Sequence, residues 1–351
     1  MNPAFDEVLS ADDETRAGLF ATTAQRLGTT PQNAEKDFWV CWTLDALFNG
    51  LEGGPRLLFK GGTSLSKGYG LIKRFSEDID VTVFRDDLGE AHSVDELVRL
   101  SRKKREAALD AIRDACATYV GGPMREQLGT IIAETAARTG LFPDVFRVMA
   151  DPGDDQTLLV RYPTATPADG YVDKSVKIES GAKSALDPHS LATVRPYVEA
   201  DIPDVDLAVP NVTTVDPERT FWDKVVILHG LRRWYEIRGQ LRGGGHRVSR
   251  HYYDLHALMA SPVGPRAIAD RALGADCVAH ARTFFDRPDF DLASAVPPTF
   301  ALCPEGAMID DLRRDYVAMT AMIFGTAPTF EAVIESIADL QSQLNGAAEQ
   351  G

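Results

Sequence analysis

Hydrophobic positions recur with two different periods along this chain, and the change of period divides it. Leu19, Thr23 and Leu27, with Phe20 and Ala24, keep a 3.6-residue spacing and predict a helix over 12–27. Phe38, Val40, Cys41, Leu44, Leu47 and Phe48 do the same over 31–49, with Pro31 in the first turn and Asn49-Gly50 as a stop. Short apolar runs then predict strands at 56–60 and 78–84, with a short helix over 63–70 between them. Helices are expected over 93–119 and 123–139. Strands are expected at 145–149 and 157–162, with Gly153-Asp154-Asp155 as a hairpin turn, and again at 172–179. Residues 185–213 are rich in Pro and Asp and read as a linker or surface loop. From Pro217 the period is helical throughout, over 217–237, 251–260, 263–274, 276–284, 305–323 and 328–345. The pattern therefore predicts an α+β fold: a mixed sheet with flanking helices over 1–215, followed by an α-helical domain over 216–351.

One stretch concentrates chemistry, FKGGTSLSKGYGLIKRFSEDIDVTVF, from Phe59 to Phe84. Strand periodicity puts Asp78 and Asp80 on one face and Ile79 and Val81 on the other. Two neighbouring carboxylates repel unless solvated or bridged by a cation, and hard oxygen ligands suit Mg²⁺ or Mn²⁺. Upstream, Gly61-Gly62 follows a strand and opens a helix, where free backbone N–H groups can bind an anion. Thr63 or Ser64 can cap that helix or donate to a phosphate oxygen, and Lys67 lies one turn further on. The spacing is not that of a Walker A loop. Glycine turn, hydroxyls and paired carboxylates together fit phosphoryl or nucleotidyl transfer from a metal-bound NTP.

Composition narrows the setting. The chain of 351 residues is 44% hydrophobic and carries a net charge of −15, which argues against broad nucleic-acid binding. Four scattered cysteines form no CxxC pair, so neither a zinc site nor a disulfide framework is expected. The acidic N-terminus has no apolar core of a signal peptide, and no run approaches the ~20 apolar residues of a membrane span. A cytoplasmic protein without membrane contact is the expectation.

Four blocks, AEKDFWVCWTLDALF (34–48), FKGGTSLSKGYGLIKRFSEDIDV (59–81), ERTFWDKVVILH (218–229) and RHYYDLHAL (250–258), together resemble the AbiEii/AbiGii toxin family, a branch of the DNA polymerase β-like nucleotidyltransferase superfamily. The resemblance implies a polymerase β-like core and a toxin of a type IV-like toxin–antitoxin or phage-defence system. It implies transfer of a nucleoside monophosphate from an NTP, with Mg²⁺, to an RNA acceptor, the tRNA 3′ end by family analogy. By the same resemblance Gly62 and Ser64 would line the triphosphate, Asp78 and Asp80 would bind the metal, and Lys224 and Asp254 would match residues needed for activity. The superfamily usually adds a third carboxylate on a later strand; Glu179 is the candidate, with Asp173 also available. A cognate antitoxin is an implied partner.

Read without the family, Lys224 is a lysine lying along Trp222, and Arg250 with Asp254 is an ordinary i, i+4 pair. His229, His251 and His256 read as packing or surface residues. Between Arg219 and Arg250 eight Lys/Arg stand against Asp223 and Glu236, a local net of +6. Such a segment can hold a triphosphate or an RNA backbone, with Trp234 and Tyr235 to stack on a base; alternatively it docks an acidic face of the same chain or of a partner. Two other readings stay open: a nucleotidyltransferase acting on a protein or small molecule, and a nucleotide-binding module that works through a protein partner.

Overall fold

A computed structural model describes residues 1–167 and 174–346. The chain folds into two compact units. The first comprises residues 1–70, 75–92 and 100–215; the second comprises 71–74, 93–99 and 216–351.

The first unit is built on a mixed seven-stranded sheet: β1 (Leu57–Lys60), β2 (Ile79–Val83), β3 (Arg147–Asp151), β4 (Asp154–Arg161), β5 (Ser175–Gly181), β6 (His189–Val194) and β7 (Val209–Val215), in the order β3-β4-β5-β2-β1-β7-β6. The β2–β5 and β1–β7 pairs are parallel and the others antiparallel. The helix Pro31–Asp45 is buried from Ala34 to Asp45. A helix apolar on one side only would leave a wet face; this one is enclosed all round. Trp39 stacks on Tyr162 with ring centroids 5.1 Å apart, and Trp42 meets Phe146 edge-on at 5.0 Å. Its polar residues are enclosed because each finds a partner. Glu35 accepts from Thr164, Ala165 and Thr166. Lys36 donates to the Ser175 carbonyl. Asp37 accepts from Tyr197 N and pairs with Lys67.

Four expectations need correction. Residues 185–213 are not a linker, since they contain β6 and the start of β7. In β7 the β-branched residues Val209, Val212, Thr214 and Val215 are buried, a strand signal that the neighbouring Pro and Asp residues masked. β6 is an edge strand whose Leu191 is exposed, so it has no in–out alternation to read. The helix expected over 93–119 is two, Val94–Arg99 and Arg102–Tyr119, and the first belongs to the second unit. In the second unit the break falls at Asp270, which caps the helix Arg271–Phe284 by accepting from Leu273 N. The hairpin turn is Pro152-Gly153, with Asp154 and Asp155 already in β4.

The second unit is helical: Pro217–Arg238, Ser249–Met259, Val263–Ala269, Arg271–Phe284, Ala307–Thr320 and Phe330–Gly346. Segment 71–74 is stitched into it. Phe324 N donates to the Lys73 carbonyl at 2.7 Å, Lys73 N donates to Tyr253 Oη at 3.3 Å, and Arg74 forms a β-bridge with Ile323. Among the described residues no helix is long and apolar enough to cross a membrane.

Candidate active site

In the first unit the chemistry lies across the centre of the sheet. Asp80 on β2 is flanked in register by Lys60 on β1 and by Glu179 on β5, and Glu179 by Thr157 on β4. Directly opposed residues present side chains to the same face, so these four form one row. Asp78 immediately precedes β2, and its charge acts on Lys177, two residues before Glu179 on β5. The other face carries Ile79, Val81, Ile178 and Leu158, all buried. The row is held up by apolar packing beneath it, so its carboxylates do not have to contribute to folding.

Gly61 closes one end of this row, and it has a steric task that the sequence does not announce. It adopts φ +79°, and a Cβ there would stand 2.2 Å from Asp80 Oδ2. The glycine is needed for a left-handed backbone and for the close approach of a carboxylate. Gly62 follows within the first helical turn, Gly61–Thr63, which continues as a wider-wound turn, Ser64–Gly68. Thr63 and Ser64 are buried. The Thr63 hydroxyl donates to the Asp78 carbonyl and lies 2.7 Å from Ser76 Oγ; the Ser64 hydroxyl donates to the Gly61 carbonyl at 2.9 Å. Thr63 thereby pins the backbone that delivers the carboxylate pair.

Lys67 is a correction. Expected at the nucleotide, it turns inward instead: its Nζ is 2.7 Å from Asp37 Oδ1 and 3.6 Å from the centroid of the Tyr197 ring. Burial disfavours the ammonium, but Asp37 outweighs burial and holds its pKa above the ordinary lysine range. The side chain serves the interior.

Asp78 and Asp80 are half-buried carboxylates, with the Gly61 cradle beside Asp80, and their oxygens are of the kind that would hold a hard divalent cation. The third carboxylate is not gathered with them. Among the described residues no three His, Cys, Asp or Glu groups are placed to hold one metal ion. Glu179 Oε1 lies 2.6 Å from Lys177 Nζ. That hydrogen bond, with the charges of Asp78 and Asp151, raises the Lys177 pKa. Asp173 lies outside the described residues.

The second unit holds Lys224 and Asp254 together and adds a group the sequence did not announce. Asp254 is 0% exposed; Lys224 and Arg74 are each 5% exposed. Asp254 accepts from Arg74 Nε at 2.7 Å and Nη2 at 2.9 Å, and its Oδ2 is 2.7 Å from Lys224 Nζ. Burial works against the Asp254 charge, but Arg74 and Lys224 outweigh it and hold the carboxyl well below the ordinary range. Lys224 is pulled below the lysine range by burial; Asp254 opposes this, while Arg74 and Arg250 reinforce it. Asp254 binds Arg74 and Lys224 instead, and among the described residues no ion pair joins it to Arg250 as the spacing suggested.

The basic surface expected between Arg219 and Arg250 is largely neutralised within the second unit. Arg219 pairs with Asp276, Arg232 with Glu236 and Glu305, Arg233 with Glu236, and Arg238 with Asp289. Tyr235 Oη donates to Asp311 at 2.8 Å, and Trp234 packs on Phe290. The histidines serve packing: His229 bridges the Asp291 carbonyl and Ala301 N, and His256 pairs with Ser336. An apolar slot of about 350 Å³ lined by Trp222, Val278 and Phe300 contains none of the candidate residues.

Residues 42–336 match a family described as the nucleotidyl transferase AbiEii toxin of type IV toxin–antitoxin systems. No curated protein matches the chain. Among solved structures it is similar to MenT4, a nucleotidyltransferase toxin from Mycobacterium tuberculosis H37Rv, at 16% identity over 93% of this chain and 99% of that one, with a TM-score of 0.37; so distant a likeness says nothing of this chain's chemistry. The family match runs over far more than half of the sequence and takes in the DxD strand, Lys224 and Asp254: the chain belongs to the AbiEii family of nucleotidyltransferase toxins.

Proposed function

We propose that the chain transfers a nucleoside monophosphate from an NTP to the 3′ end of a tRNA, with release of pyrophosphate and with Mg²⁺ held by Asp78 and Asp80. The observation that carries this is the row on the sheet, where Asp80 is seated against a glycine whose Cβ position its carboxylate occupies. When bound there, Mg²⁺ would polarise the reacting phosphoryl oxygen and lower the pKa of the acceptor hydroxyl. Asp78 and Asp80 fix its place. Backbone N–H groups at the start of the Gly61 turn are donors for a phosphate oxygen. Lys224 and Asp254, paired within the second unit, are the residues that the family resemblance implies are needed for activity, with Asp254 orienting Lys224. The tRNA end is proposed by family analogy, and a cognate antitoxin is the partner that the toxin family implies.

One observation favours a second reading of the acceptor. Four arginines of the +6 segment are already bound to carboxylates, which leaves less free charge for an RNA backbone and favours a protein or small-molecule acceptor. Purified protein incubated with each α-labelled NTP, Mg²⁺ and total cellular RNA separates the two. Label in a tRNA-sized band, falling steeply with salt, is the expected result. Label in protein or in a small product, with little salt dependence, replaces the tRNA acceptor with the second reading.

A further inference from the structure

The apolar slot of about 350 Å³ has all its walls in the second unit. One wall is a face of the helix Arg271–Phe284. Arg271, Gly274, Val278 and Arg282 follow there at i, i+3, i+7 and i+11, the spacing of one helical stripe. Small apolar residues thus run between two arginines about 16 Å apart along the axis, at 1.5 Å per residue. Trp222 and Phe300, with ring centroids 6.3 Å apart, supply the aromatic surface. Trp222 Nε1 donates to the Ala267 carbonyl at 2.8 Å, so the indole meets the slot with carbon alone. A Cβ on Gly274 would stand 2.7 Å from that ring. Ring and helix are therefore in direct contact, and the slot is formed before a ligand enters.

The two arginines differ from their neighbours. Arg219, Arg232, Arg238, Arg266 and Arg313 of the same unit each hold a carboxylate. Among the described residues Arg271 and Arg282 hold none, and no carboxylate lines the slot, although the chain has 52 acidic residues against 37 basic ones. Arg271 donates through Nη2 to the Gln343 carbonyl at 3.0 Å, while its Nη1 is buried and makes no hydrogen bond among the described residues. A buried donor without an acceptor is costly. Burial also disfavours the guanidinium charge and pulls its pKa down. An anion reaching Nη1 would relieve both.

We infer that the slot is a binding site for a small amphipathic acid, whose carboxylate takes the Arg271 guanidinium while an aromatic or aliphatic body lies along Val278, Trp222 and Phe300. Size selects a small molecule. Ligand pockets begin at about 300 Å³ and combine apolar walls with a few polar groups. A partner helix, about 10–12 Å across with its side chains, does not enter a slot of this volume. Arg282 is exposed, so its charge is screened and contributes less than that of Arg271. The site is independent of the nucleotidyl-transfer reading.

Titration calorimetry of the full chain with 4-phenylbutyrate and with its neutral amide, 4-phenylbutyramide, tests this. The acid should bind with a dissociation constant below about 1 mM. It should bind at least about 10-fold more tightly than the amide, the scale of one charge-assisted pair. Arg271→Gln should reduce the acid to the affinity of the amide and leave the amide unchanged. Arg282→Gln should cost the acid no more than about 3-fold. Ala279→Phe, which adds a ring at an exposed position of the same wall, should abolish binding of both. A saturating NTP should not displace the acid. If Arg271→Gln does not fold, the preference for acid over amide in the wild type and the loss of both in Ala279→Phe decide. Equal affinity for acid and amide, no binding of either, or acid binding that survives Ala279→Phe overturns the inference. So does displacement by the NTP, or a preference for the acid that Arg282→Gln removes and Arg271→Gln does not.

Discussion

The two charged centres of this protein are built on opposite principles. In the first unit Asp78, Asp80 and Glu179 stand half-exposed on a sheet whose other face supplies the packing. In the second unit Asp254 is wholly buried and bound by two cations. Carboxylates on an open face cost little to keep and little to lose, so their repulsion is tolerable and available for a ligand. A buried carboxylate between cations has already given up its hydration, and removing it strands two charges. One centre can be emptied without harming the fold; the other cannot.

The sharpest break of this comparison is Asp80→Ala. Nucleotidyl transfer should fall on the order of 10³-fold or more, the scale of losing a group that organises transition-state charge. The melting free energy should stay within about 0.5 kcal/mol, as for a surface site. Asp254→Ala should do the reverse first, destabilising the protein by about 3–5 kcal/mol in denaturant titration. Gly61→Ala should be intermediate, costing about 1–3 kcal/mol of backbone strain and most of the activity, because a Cβ would displace the Asp80 carboxylate. Acid melting sharpens the contrast further. The folded-state pKa of Asp254 is depressed, so its contribution is fully present above the unfolded value of about 3.9 and is lost as pH falls through the lower folded value. Asp254→Asn should flatten the stability profile in that acidic window. The smallest effect belongs to Glu179→Gln: its pair with Lys177 is half-exposed, worth at most about 1 kcal/mol.

What was legible in the sequence follows the same division. Asp78 and Asp80 could be placed on one face because strand periodicity is local, and the glycine pair stood a few residues away. That Gly61 serves Asp80 needed the β1–β2 register. That Glu179 shares its row needed the β2–β5 pairing. Lys67 looked like a phosphate ligand because nothing nearby in the chain revealed Asp37 as its partner, and the arginines after Arg219 looked free for the same reason. Arg74 sits between the glycine pair and the carboxylates, yet its partner lies 180 residues away, and no pattern along the chain reports a contact of that separation. The family resemblance supplied Lys224 and Asp254; spacing alone favoured a different partner for each.

The most direct test of the central claim, that the Asp78/Asp80 face performs nucleotidyl transfer, is a paired-label experiment. The wild type and Asp80→Ala would each be incubated with Mg²⁺, cellular RNA and protein, and the same NTP labelled at either the α or the γ phosphate. Incorporation of α label without γ label by the wild type, and of neither by a folded Asp80→Ala, is the predicted result. Incorporation of γ label, or α label undiminished in Asp80→Ala, would contradict it.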